Sequence, residues 1–268
     1  MAPSRTPGLP QQSPPWRWAV AGIVLGCMIA TTVFAPARWL AAALSQASGQ
    51  QLQLVSPQGS IWAGSSQLVL SGGQGSVNAV ALPGQIHWQI RPMWSGLAIQ
   101  ITADCCTPQP LQLRAMAVGW RGARVALQDA QSQWPASLLV GLGTPWNTVQ
   151  AQGQLSATTQ DFAVEWGSTT GLSQTGRVQL DALNISSRLS TLSPMGSYRF
   201  TLQGGPSPTL ELKTLEGSLQ LSGQGQWVGQ RLRFSGVASA APERVEALSN
   251  LLNILGRRDG ARSIITVG

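Results

Sequence analysis

Period-two alternation of apolar and polar residues runs through most of this 268-residue chain and leaves few folds open to it. In residues 85–91, Ile86, Trp88 and Ile90 fall on one side of an extended chain, and Gln85, His87, Gln89 and Arg91 on the other. The same rhythm returns at Leu68/Leu70, Leu97/Ile99/Ile101, Leu111/Leu113, Val178/Leu180, Tyr198/Phe200/Leu202, Leu210/Leu212, Leu219/Leu221 and Leu232/Phe234. Successive side chains of a strand point to opposite faces, so the pattern describes half-buried strands. Gly72-Gly73, Pro83-Gly84, Gly204-Gly205-Pro206 and Gly223-Gln224-Gly225 read as turns between them. No helices of crossover length interleave, which makes the strands antiparallel with one solvated face. The expected fold is mainly β: an N-terminal transmembrane helix, then a large, curved antiparallel sheet, an open barrel or a groove. That sheet carries one short helix and one C-terminal amphipathic helix.

A weak internal echo accompanies the strands. Trp-x-Gly followed by alternation occurs at Trp62-Ala63-Gly64, Trp120-Arg121-Gly122 and Trp227-Val228-Gly229. These read either as recurring hairpin units or as tryptophans packing beside turn glycines.

The start of the chain follows another rule. Between Arg17 and Arg38 there is no charged residue, and residues 18–37 are long enough to cross a bilayer as one helix. Trp16, Trp18 and Trp39 stand at its ends, where amphipathic rings prefer the headgroup level. A cleaved secretory signal is the competing reading, but its apolar stretch spans about 7–15 residues. Here the apolar character continues through Trp39 to Leu44. Val24-Leu25-Gly26-Cys27 resembles a lipoprotein signal only superficially, because apolar rather than polar residues follow Cys27. The expected organisation is a disordered, proline-rich cytoplasmic tail over 1–15, a signal-anchor helix over 16–44 and a periplasmic β-rich domain over 45–268. Arg5 and Arg17 before the span, against Arg38 behind it, set that orientation.

Charge excludes one large class of partner. The formal balance is +7, with only 10% of residues charged, and arginine supplies every basic residue except Lys213. So small and scattered a surplus is not a nucleic-acid patch. The surface must instead be covered by Gln, Ser, Thr and Gly.

Two helices interrupt the strands. One spans about two turns near 135–142, between Pro135 and Gly141/Gly143. The other begins at Pro242, has Glu243 and Glu246 near its N-terminus, and is followed by Arg257 and Arg258. Its apolar stripe of Val245, Leu248, Leu252 and Leu255, widened by Leu251 and Ile254, would dock on the sheet. Ile264 to Val267 reads as a last strand.

Catalytic chemistry has no support in the sequence. His87 is the only histidine and falls on the polar side of its strand, which suits a solvated residue better than a general base. There is no histidine set for zinc, no phosphate loop and no dinucleotide fingerprint, so neither metal nor cofactor is expected. Asp104, Asp129, Asp161, Glu165 and Asp181 form no recognisable pair. Cys105 and Cys106 are adjacent, and an exported chain meets an oxidising compartment. A vicinal disulfide that constrains their loop is the first reading, a redox switch the second.

The order of segments resembles the type II secretion system protein N family, also called general secretion pathway protein N. The resemblance rests on GSIWAG (59–64: Gly59, Trp62, Gly64) and LPGQIHWQIRP (82–92: Pro83, Gly84, Trp88, Arg91, Pro92). It continues through PMGSYRF (194–200, with Tyr198), LKTLEGSLQLSGQGQW (212–227) and SNLLNILGRRDGARSIITVG (249–268: Asn250, Asn253, Arg257, Arg258, Arg262). It implies a single-pass accessory protein of the bacterial inner membrane, not an enzyme, that links inner-membrane platform proteins to the outer-membrane secretin. The proline-rich tail and the Cys105-Cys106 pair belong to no family segment. A second hypothesis is that the sheet resembles AsmA-like and lipopolysaccharide-transport bridge proteins, whose apolar groove holds lipid. An apolar face left uncovered would favour lipid; one plugged by the helix after Pro242 would favour assembly.

Overall fold

A computed structural model of the chain describes residues 16–76, 78–119, 121–167, 171–229 and 231–268. The tail read over 1–15, and Trp120 of the second Trp-x-Gly, lie outside the described residues. The chain divides into two units, Met1–Ala35 and Pro36–Gly268.

In the first unit, α1 (Trp16–Val33) is long and apolar enough to cross a membrane, and none of its residues is buried. The apolar run read as a single helix over 16–44 is two helices. Proline has no N–H to continue a helix, and Pro36 stands at the N-cap of α2 (Ala37–Ala47), which belongs to the second unit. One side of α2 supplies Ala37, Leu40, Ala41 and Leu44 to a cluster around Leu54 and Trp88.

The second unit is one antiparallel sheet, and its two outermost strands do not pair with each other. Its first half comprises β1 (Leu52–Gly59), β2 (Ala63–Ser71), β3 (Ala79–Ala81), β4 (Ile86–Met93), β5 (Gly96–Ala103), β6 (Leu111–Val118), β7 (Gly122–Leu127) and β8 (Gln131–Pro135). The long strands β9 (Gln152–Gly167) and β10 (Gly171–Ser186) lead into β11 (Gly196–Gly205), β12 (Thr209–Gly217), β13 (Leu219–Val228) and β14 (Arg231–Ala240). A short hairpin, β15 (Arg257–Asp259) and β16 (Arg262–Val267), closes the chain. Neighbours follow chain order almost throughout; β3 covers the far part of β2, β8 the near part of β9, and β16 lies between β14 and β15. Every alternating segment read from the sequence lies in a strand, with its apolar residues in register on one face: Trp88 opposite Ile101, Ile99 opposite Leu113, Leu180 opposite Phe200 and Phe200 opposite Leu212.

Gly223-Gln224-Gly225, read as a turn, lies inside β13. The reason is Phe234 on β14: a Cβ on Gly223 would collide with its ring, and one on Gly225 would press tightly on it and on Leu232. The glycines are there to admit an aromatic side chain, not to bend the chain. The Trp-x-Gly segments are not equivalent units either, since Gly64 and Gly122 lie at the starts of β2 and β7 whereas Trp227 closes β13.

The two ends of the sheet differ. At one end lie the tight β1–β2, β4–β5, β6–β7, β9–β10, β11–β12 and β13–β14 connections. Pro36 bridges to Ser60 in the first of these, so the chain enters its second unit at this end. The other end carries the longer connections and three further helices: a 3₁₀ helix (Ala136–Leu142), α3 (Trp146–Val149) and α4 (Val245–Leu255), which follows a 3₁₀ turn at Pro242–Arg244. The buried core gathers there as well. Leu248, Leu251 and Leu252 of α4 join Leu155, Ala182, Met195, Tyr198, Leu212, Leu219 and Ala238. Leu138 of the 3₁₀ helix joins Leu82, Ala103 and Cys106. Ile254, read as part of the apolar stripe of α4, is 44% exposed.

Candidate partner surface

The family-motif residues fall into three groups, which the fold keeps apart. Gly59, Trp62, Gly64 and Trp88 meet at the Pro36 end. Gly59 takes φ +85°, a conformation that favours glycine. Ser60 then closes the turn, its N–H donating to the Ala63 carbonyl (2.9 Å) and its Oγ accepting from the Trp62 and Ala63 N–H groups. The buried Trp88 indole lies over Gly64, and its Nε1–H donates to the Ser60 and Ile61 carbonyls, each at 3.2 Å. Arg91 and Pro92 run on from there into exposed chain, with Arg91 donating to Gln89.

At the other end, Pro83 and Gly84 follow Leu82, which is fully buried. Gly84, at φ +81°, brings the chain against Asp104. The Asp104 carboxylate accepts the Gln85 N–H (3.1 Å) and stands 3.3 Å from His87 Nε2. His87 is thus half-exposed, as its place in the alternation suggested, but it has a carboxylate beside it that sequence spacing did not reveal. Next in the chain, the Sγ atoms of Cys105 and Cys106 are bonded to each other, with Cys106 buried against Leu82 and Leu138 and its carbonyl accepting the Gln133 N–H.

The third group surrounds α4. Tyr198 is buried in the main core, where burial pushes its phenol pKa up. Asn250 and Asn253 are exposed on the outer side of α4. Arg257, Arg258 and Arg262 form the β15–β16 hairpin, with Arg258 opposite Ser263 and Asp259 opposite Arg262.

Between these groups lies the surface best suited to a partner. Helix α2 roofs the apolar face over β1, β2 and β4, the 3₁₀ helix roofs it near Leu70 and Ile86, and α4 roofs it over β11 to β14. Among the described residues of the second unit, no helix joins a buried cluster over the middle. Leu97, Ile99, Leu113, Val125 and Val164 are half-buried or exposed and belong to none of the buried clusters, and Trp166 and Leu172 extend the stretch toward the Pro36 end. Of these, Leu97, Trp166 and Leu172 are exposed, and the others are partly open to water. The opposite face is polar. One of its open hollows, of about 530 Å³, is bordered by Arg114, Arg124, Asp129 and Asp161; His87 is not among its lining residues. The Asp161 backbone N–H there donates to the Asp129 carboxylate.

The sheet edges are poorer sites. Edge strands invite pairing unless they are short, bulged or charged. β1 carries an irregularity between Val55 and Gln58, with Ser56 at φ +51° beside Pro57, and β15 is three residues long with two arginines.

A broad, unclosed antiparallel sheet with a partly roofed apolar face, blunted edges and an apolar N-terminal helix defines an open β-sheet protein. The chain belongs to the type II secretion system protein N family: the family model, described as type II secretion system (T2SS), protein N, matches residues 50–265, which take in the sheet from just before β1 into β16. Neither a curated protein nor a solved structure matches the chain significantly.

Proposed function

We propose that this protein is a non-enzymatic, single-pass accessory component of the type II secretion machinery in the bacterial inner membrane. Its N-terminus is cytoplasmic, and its sheet stands in the periplasm between the platform proteins and the outer-membrane secretin. The observation that carries the proposal is the unroofed middle of the apolar face, Leu97 to Val164, within a family-matched sheet. Apolar side chains left half-open to water on one face of a sheet gain stability when another surface covers them. In this reading the helix-packed end gives the sheet its rigidity and the open middle receives a subunit, while α1 holds both at the membrane.

A lipid-bearing groove is the second reading, and the same unroofed stretch favours it, because acyl chains could cover Ile99 and Leu113 as well as a protein could. The helix after Pro242 packs against β14, β15 and β16, and the buried cluster it joins does not include Ile99 or Leu113.

Deletion of the gene from a strain that secretes through this machinery tests the first reading. Secreted proteins are expected to accumulate in the periplasm, and the full chain to restore export. Replacing Ile99 and Leu113 with Ser is expected to abolish the rescue at unchanged protein level. Normal export in the deletion strain would refute the secretion role.

A further inference from the structure

The turns at the Pro36 end carry an unusual set of side chains. Trp94, at the β4–β5 tip, is fully exposed, and Trp166 and Leu172, opposite each other at the β9–β10 hairpin, are 45% and 57% exposed. Val118 and Val228 stand exposed beside the β6–β7 and β13–β14 tips. None of them belongs to a buried cluster. They sit on separate hairpins that the antiparallel register brings to one end of one sheet.

Cations stand among them. Arg121 lies in the β6–β7 turn and Arg231 begins β14 directly after the β13–β14 tip. One layer further in, Arg91, Arg124 and Arg233 are accompanied by the carboxylates of Glu165 and Glu211, of which Glu165 is the cross-strand partner of Arg124. Positive charge therefore exceeds negative at this end. Tryptophan and arginine together are the residues that settle in the headgroup layer of a bilayer, the ring at the level of the glycerol groups and the guanidinium on lipid phosphate.

The chain also enters the sheet here. Pro36 bridges Ser60 in the β1–β2 turn, and only Phe34 and Ala35 separate it from Val33, the last residue of α1. Three Cα steps span at most about 11 Å.

We propose that the hairpin tips at the Pro36 end of the sheet lie in the headgroup layer of an anionic bilayer, so that the domain is held at the membrane by a row of turns as well as by α1. The proposal rests on reading α1 as a span.

The test uses the full chain in vesicles of phosphatidylethanolamine and phosphatidylglycerol that contain a lipid with a shallow nitroxide quencher. In a Cys27→Ser background, without reductant, a thiol-reactive fluorophore is placed at Trp94→Cys, at Val228→Cys or, as control, at Leu215→Cys, which is exposed at the opposite end. Fluorescence at 94 and 228 is expected to be quenched at least threefold more than at 215. Arg121→Gln with Arg231→Gln is expected to lower quenching at 228. Equal quenching at all three positions would overturn the proposal. Carbonate extraction of the same vesicles separately tests the span: quenching at the tips in an extractable protein would sustain the rim while refuting α1 as its anchor.

Discussion

The indole of Trp88 occupies the space where a side chain on Gly64 would begin: a Cβ at that glycine would stand 2.5 Å from the ring. Two family segments well separated in the chain, GSIWAG and the Trp88 strand, are thereby parts of one structure. Gly64→Ala must move the ring or the strand, and overpacking of a tight site costs about 1–3 kcal/mol. Urea unfolding of the detergent-solubilised protein is expected to show a lower midpoint with the slope unchanged. A wild-type midpoint would mean that the Trp88 ring and the Gln58 carbonyl, which the Cβ would also meet, both have room to shift, and that the close approach is not what the glycine provides.

Asp181 and Arg199 form a strong cross-strand contact on the polar face. The guanidinium donates two hydrogen bonds of 2.7 Å to the carboxylate, and both side chains are at least 70% buried. The hydrogen bonds from Arg199 hold the Asp181 carboxyl below its ordinary pKa against the opposing effect of burial. A depressed folded-state pKa means that the stabilisation is fully present above the unfolded value of about 3.9 and is lost as pH falls through the folded value. Asp181→Asn is therefore expected to cost about 1.5–3 kcal/mol at pH 7. The gap from wild type should shrink below about pH 4. Equal sensitivity of both proteins to acid would show that the pair contributes nothing to folding.

Alkylation distinguishes the two readings of the cysteines. Cys27 is the free thiol, and Cys105 and Cys106 are bonded to each other. Intact-mass analysis of protein unfolded without reductant should show one adduct, and after reduction three, matching the cysteine content. Three adducts before reduction would refute the vicinal bond.

Much of this architecture is legible in the chain because a strand with one wet face writes its orientation into every second residue. Ile86, Trp88 and Ile90 name their face unaided, and so do Tyr198, Phe200 and Leu202. What sequence leaves unsaid depends on partners in space. Gly223 and Gly225 look like a turn until Phe234 is seen to need their missing side chains. His87 looks solitary because Asp104 reaches it only across the β4–β5 pairing. Asp181 reads as an isolated acid because Arg199 lies on the next strand. The unroofed middle of the sheet was equally hidden: alternation marks Ile99 and Leu113 as apolar-facing just as it marks Leu212, and only helix placement distinguishes the covered residue from the open ones. Pro36, by contrast, was a visible helix break that hydropathy alone passed over.

The proposed export polarity rests on few charges, Arg5 and Arg17 against Arg38. A periplasm-active reporter fused after Gly268 is expected to be active, and a cytoplasm-only reporter silent. The reverse pattern would invert the proposed topology.

The most direct test of the central claim is photo-cross-linking in cells from a photoreactive residue at Ile99 or Leu113, in the unroofed middle of the sheet. The account predicts cross-links to the secretin or to an inner-membrane platform subunit, lost when the same residue is placed at the exposed Asn253 of α4. Recovery of phospholipid or lipopolysaccharide alone, with no secretion subunit, would contradict it and leave the lipid groove as the function of this face.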